Sequence, residues 1–175
     1  MKIKLLLTCF LLILLTDVCF AITTVRVSDY GSDGFYYRYN EIAKALGENN
    51  LMMPDMPKKE MSNPNYDIYI IGVGASAHKT TMILFVNKEG YVSKIMIMGA
   101  FSDSITVDNI HAVAATILSA LGVSSSERPD FINASNKNNI NEVHWCNEAK
   151  RYIAVKSKTD YDRDIFSIVF TAGVD

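Results

Sequence analysis

The chain has 175 residues, 49% of them hydrophobic and 21% charged, and a formal net charge of −2. A length of this order suits one compact domain that buries about two-thirds of its unfolded surface without needing a disulfide. The charges are spread along the chain without blocks, which argues against nucleic acid or an anionic membrane surface as the main partner.

Residues 1–21 read as a secretory signal peptide. Lys2 and Lys4 form a positive n-region, Leu5 to Leu15 an apolar run broken only by Thr8 and Cys9, and Cys19-Phe20-Ala21 a cleavage site with small residues at −3 and −1. The apolar run is shorter than the roughly 20 residues of a membrane span, and Thr16-Asp17-Val18 fits a lipidated Cys19 poorly. The expectation is cleavage after Ala21, no stable membrane anchor, and an exported domain, periplasmic or extracellular, running from Ile22 to Asp175. Loss of Lys2, Lys4 and Asp17 takes the 17 basic and 19 acidic residues to 15 and 18, a net −3. Cys9 and Cys19 leave with the signal, so Cys146 is the single exported thiol and no internal disulfide can form.

Ile22 to Ser28 alternates like a short strand, and Asp29 to Gly34 is a turn. A helix follows, with Phe35, Tyr39, Ile42 and Leu46 on one face, Ser32 or Asp33 as candidate caps, and Gly47 at its end. Glu48 to Asn65, with Pro54, Pro57 and Pro64, reads as irregular. Tyr66 to Ala75, Thr80 to Asn87 and Tyr91 to Ala100 read as an antiparallel meander, the last two strands joined through Lys88-Glu89-Gly90. Their near-continuous apolar runs predict strands covered on much of both faces.

Thr106 to Leu121 is the clearest helix, with Thr106 as N-cap, Val107, Ile110, Val113, Ala114, Ile117, Leu118 and Leu121 on one face, and Gly122 as terminator. A polar loop, Ser124 to Asn141, carries five asparagines between Asn133 and Asn141. Strands about Glu142 to Cys146, Arg151 to Ser157 and Ile165 to Ala172 complete the domain. The fold class is therefore α+β: one domain, a mostly antiparallel sheet of about five to seven strands, and two principal helices packed on it.

No chemical motif survives a check of spacing. Gly72 to Thr80 lacks both glycines that a phosphate-binding loop needs, and Ser76-Ala77-His78-Lys79 matches S-x-x-K without the companion elements of that enzyme class. Asp29, Gly31, Asp33 and Gly34 supply half of a calcium loop. Asp160, Asp162 and Asp164 form an acidic turn with Ile165 where a glycine would be required. A hydrolytic set could be assembled from Cys146, His78 or His111 and an Asp, but no family signature supports it. No catalytic residue is nominated, no cofactor is expected, and an enzyme is the lesser expectation.

Two loops exceed what a core requires, Leu51 to Met61 and Asn133 to Asn141. Met52, Met53, Met56 and Met61 are adaptable apolar side chains on a proline-stiffened segment and are the expected partner-binding residues. The expected function is binding of a protein partner, such as a toxin or hydrolase, in the manner of an immunity or inhibitor protein. Two other functions remain open. One is a periplasmic carrier of Cu(I) or a small ligand, with Met53, Met56, His144 and Cys146 as soft metal ligands. The other is an uncharacterised hydrolase.

Overall fold

The computed structural model describes residues 26–74, 80–124, 140–147 and 150–173. The expected signal peptide, residues 75–79 of the two motif matches, and residues 133–139 of the asparagine-rich segment lie outside the described residues.

Among the described residues, seven antiparallel strands form one sheet with two helices on one side, which is the expected α+β domain. In chain order the elements are α1 (Ser32–Ala45), a short 3₁₀ turn (Asn49–Leu51), β1 (Lys59–Ser62), β2 (Tyr66–Val73), β3 (Thr80–Asn87), β4 (Val92–Ala100), α2 (Ser104–Ala120), β5 (Asn141–Cys146), β6 (Arg151–Asp160) and β7 (Ile165–Ala172). The sheet order is β1-β2-β3-β4-β7-β6-β5, so two meanders meet at the β4–β7 pair. The chain crosses between them through α2, which lies on the sheet beside α1.

The core lies between sheet and helices. Ile71 and Val73 of β2, Met82 and Leu84 of β3, Ile95 and Ile97 of β4, Phe166, Ile168 and Phe170 of β7, and Ile153 and Val155 of β6 are buried on the helix side. Above them stand Ile110, Val113, Ala114, Ile117 and Leu118 of α2 and Phe35, Tyr39 and Ala43 of α1. Helix α2 is buried beyond the expected stripe, Ala115 and Thr116 included, because the sheet lies below it and α1 beside it. The Tyr39 hydroxyl donates to the carbonyl of Leu51, and burial pushes that phenol well above its usual range, with the charge of Glu48 adding to the shift.

Several local expectations are corrected. Asp103, not Thr106, caps α2: its carboxylate accepts from the Ile105 N–H and also takes the Thr106 hydroxyl, so Thr106 serves the cap from the first turn. Neither Ser32 nor Asp33 caps α1; Gly31 occupies that position and the Ser32 hydroxyl donates to Asp33. Leu46 is exposed at the C-cap, while Gly47 takes the expected left-handed conformation at φ +81°. Residues 26–28 form no strand, although the N–H groups of Val27 and Ser28 reach the Val92 carbonyl. Strand β1 lies inside the segment expected to be irregular, and β6 runs three residues past its expected end.

The acidic turns are committed to the framework. Asp29 is paired with Arg26 and Arg151, tying the first described segment to β6. Asp164, in the left-handed region at φ +53°, accepts from the backbone and hydroxyl of Ser102, and Asp160 accepts from the Arg163 N–H. These carboxylates hold turns through arginine and backbone donors.

Candidate functional site

The four methionines expected to bind a partner fall into two groups. Met53 is fully buried, its N–H donating to the Asn40 side chain and its carbonyl accepting from the same carboxamide, and Met52 packs partly buried against the core. Only Met56 and Met61 are exposed, Met61 at 60%. The proline-stiffened segment is therefore anchored to α1 through Met53. Replacing Met53 by Ser should cost about 2 kcal/mol or more in chemical denaturation, whereas Met56→Ser should stay within about 0.5 kcal/mol.

The four soft ligands are not brought together. Met56 lies just before β1 at one outer edge of the sheet, and His144 and Cys146 lie on β5 at the other. Six strand spacings of about 4.8 Å put these edges about 29 Å apart. His144 and Cys146 share the helix side of β5, and Trp145 points to the opposite face, where it meets Tyr152 edge-on. His144 Nε2 lies 3.0 Å from Glu142 Oε2, and the buried Cys146 thiol donates to the Leu121 carbonyl. His111 is buried: Nδ1 is 2.7 Å from the Val107 carbonyl oxygen and the ring stacks on Phe166. Among the described residues no three His, Cys, Asp or Glu side chains converge on a point that could hold a metal ion.

The other face of the sheet is the more informative surface. In an antiparallel ladder directly opposed residues share a face, so the register defines rows that cross the sheet. One row runs Ile70, Ile83, Met96, Val169, Lys156 and Asn141; the next runs Met61, Ile68, Phe85, Lys94, Thr171, Ala154 and Val143. No described helix covers these positions. Ile70, Met61 and Val143 are exposed, at 44%, 60% and 62%, and Ile68, Ile83, Phe85, Met96 and Val169 are half-buried by their neighbours alone.

A solvated sheet face ordinarily carries polar side chains. Here the outward positions of β2 and β3 are as apolar as the inward ones, which is why the runs predicted cover on both sides. The described residues cover only one. Polar character returns toward β6, where Lys156 and Lys158 project outward, and Lys94 lies over the Phe85 ring at 4.9 Å. The outward face is thus an apolar field with lysines along one side. Met61, opposite Ile68, belongs to it.

Comparisons with protein-family models, with curated proteins and with solved structures found no match to this chain. Among the described residues no helix is long and apolar enough to cross a membrane.

Proposed function

We propose that the chain is a small exported binding protein that acts by docking a protein partner on the open face of its sheet, in the manner of an immunity or inhibitor protein. The observation that carries this reading is the apolar field of Ile68, Ile70, Ile83, Phe85, Met96 and Val169, which lies outward on the strands with no described element over it. Contiguous apolar surface of this kind marks interaction sites more often than it occurs by chance on a monomer. The lysines beside it favour a partner whose contact surface has an apolar centre and carboxylates at one margin. Met61 extends the field and is the methionine that this reading assigns to partner contact, while Met53 supports the fold.

Export is part of the proposal and rests on the sequence of residues 1–21. The test is capture from a periplasmic or secreted extract by wild type and by Ile70→Glu, with thermal unfolding measured in parallel. A protein retained by the wild type and lost by the variant at unchanged Tm is the expected result. A partner retained equally by both would place recognition elsewhere.

A further inference from the structure

The open face is positive although the chain is negative. On the strands from β2 to β7 the register turns Lys94, Lys156, Lys158 and Asp160 outward, an excess of two positive charges on a chain of net −2. Two copies of the chain stacked face to face would set like charge against like, so a second copy is not the partner that this face fits. An acidic partner is.

Lys94 differs from the other two lysines. Lys156 and Lys158 are exposed on β6, toward one edge, while Lys94 is half-buried on β4, the central strand of the sheet. Phe85 and Thr171 flank it across the ladder, Met96 follows it on the same face, and Ile83 and Val169 lie in the next row. Its ammonium lies 4.9 Å from the centre of the Phe85 ring. Tyr66 meets that ring edge-on, with centroids 6.0 Å apart, and braces it from the side of β2. The head group is thus held inside the apolar field by a ring face instead of running out to the margin along its flexible stem. Among the described residues Lys94 makes no ion pair, although Asp67 draws both Lys59 and Lys88, and Asp29 draws both Arg26 and Arg151. The outward carboxylate of Asp160 stands two strands across and six residues along, about 22 Å away by ordinary strand spacings, and accepts from the Arg163 N–H of its own turn.

A partner surface that closes over Ile70, Ile83 and Val169 strips water from this ammonium, and a ring face replaces only part of the lost hydration. A wholly apolar partner would therefore bury an unpaired cation. A carboxylate answers it, and the exclusion of water strengthens both the ion pair and the cation–π contact beneath it. We propose that the partner docks an acidic segment on the open face, with an Asp or Glu carboxylate paired to Lys94 above the Phe85 ring and apolar side chains to either side of it seated on Ile68 and Ile70 and on Met96 and Val169. This assignment rests on the open face being the docking surface, and it adds the chemistry of what docks there.

A random dodecapeptide library displayed on phage supplies the probe. It is panned against the protein, Lys94→Met and Lys94→Glu, and the selected peptides are synthesised and titrated by calorimetry. The wild type is expected to select peptides with an Asp or Glu between apolar residues, and Lys94→Glu to select Lys or Arg at that place. A peptide selected on the wild type should bind about tenfold or more weakly to Lys94→Met at unchanged Tm, since a charge-assisted hydrogen bond is lost. Lys94→Arg, which keeps the charge, should restore much of the affinity. Changing the peptide's acid to its amide should weaken binding to the wild type and leave binding to Lys94→Met nearly unchanged, the coupling that marks a direct pair. Peptides that need Ile70, being lost on Ile70→Glu, yet bind Lys94→Met as they bind the wild type would overturn the Lys94 pairing and leave the open face standing as a docking surface. Acidic peptides that bind Ile70→Glu as tightly as the wild type would remove the open-face reading itself. A library that yields no binder would overturn the linear acidic segment alone.

Discussion

Replacing Phe170 by Ala is expected to lower the stability of the protein by about 3–5 kcal/mol, while Val169→Ser, one residue away, is expected to cost less than about 1 kcal/mol. The two side chains leave the same strand in opposite directions. Phe170 is fully buried on the helix side, opposite Ile95 of β4 and Val155 of β6, in the middle of the sheet. Its loss removes transfer energy and leaves a cavity that the flanking strands cannot collapse to fill. Val169 lies outward between Met96 and Lys156, half-exposed. Urea denaturation of both variants with an unchanged m-value checks the pair. A cost at Val169 approaching that at Phe170 would mean that the outward face is covered within the monomer, and would remove the basis for a docking surface there.

A milder test concerns acid. Hydrogen bonds from Lys88 and Ser62 hold the Asp67 carboxyl down at about 2 against an ordinary value of 3.8, the Lys59 charge adding to the effect. A depressed carboxylate contributes stability above its unfolded pKa and loses it as pH falls through the folded one. Asp67→Asn should therefore flatten the stability profile between about pH 4 and pH 2 and leave its shape above pH 5 unchanged. The group is solvent-exposed, so added salt should shrink the difference.

Much of the fold was legible because single segments carried it. The α2 stripe, with Ile110, Val113, Ile117 and Leu118, needs no tertiary information to be read as a helix, and Lys88-Glu89-Gly90, with Gly90 at φ +90°, needs none to be read as a hairpin. Strand β1 was not legible, because Lys59-Glu60-Met61-Ser62 has neither alternation nor β-branched residues. It becomes a strand through its pairing with β2, where Lys59 and Ser62 reach Asp67. The caps were misplaced by one to three residues because Gly31 and Asp103 compete with equally plausible neighbours, and only the chain's entry path decides. The candidate site was half-legible. Methionines are adaptable in either a core or an interface, so the sequence could not separate Met53 from Met61. The outward face was hidden for a related reason. When Ile68 and Ile70 are as apolar as Tyr69 and Ile71, the period of two that would mark the solvent side disappears.

On the open face, Ile83→Glu is expected to weaken capture of the partner by about 30-fold or more with little change in stability. Ile83 stands between Ile70 and Met96, with Ile68 and Phe85 in the neighbouring row, near the middle of the apolar field. Binding energy concentrates at such central, desolvated positions, where truncation commonly costs about 2 kcal/mol, and a carboxylate there adds the penalty of burying an unpaired charge. The lysines predict a different signature. Lys156 and Lys158 lie on β6, to one side of that field, and their distance from its centre assigns them to encounter rather than to the final fit. Lys156→Glu with Lys158→Glu should lower the association rate and weaken its dependence on salt, while leaving dissociation nearly unchanged. Surface plasmon resonance with the captured partner reads both rates. An Ile83→Glu variant that binds as the wild type does would exclude the open face as the interface. A lysine pair whose loss acts only on dissociation would instead place those side chains inside the buried contact.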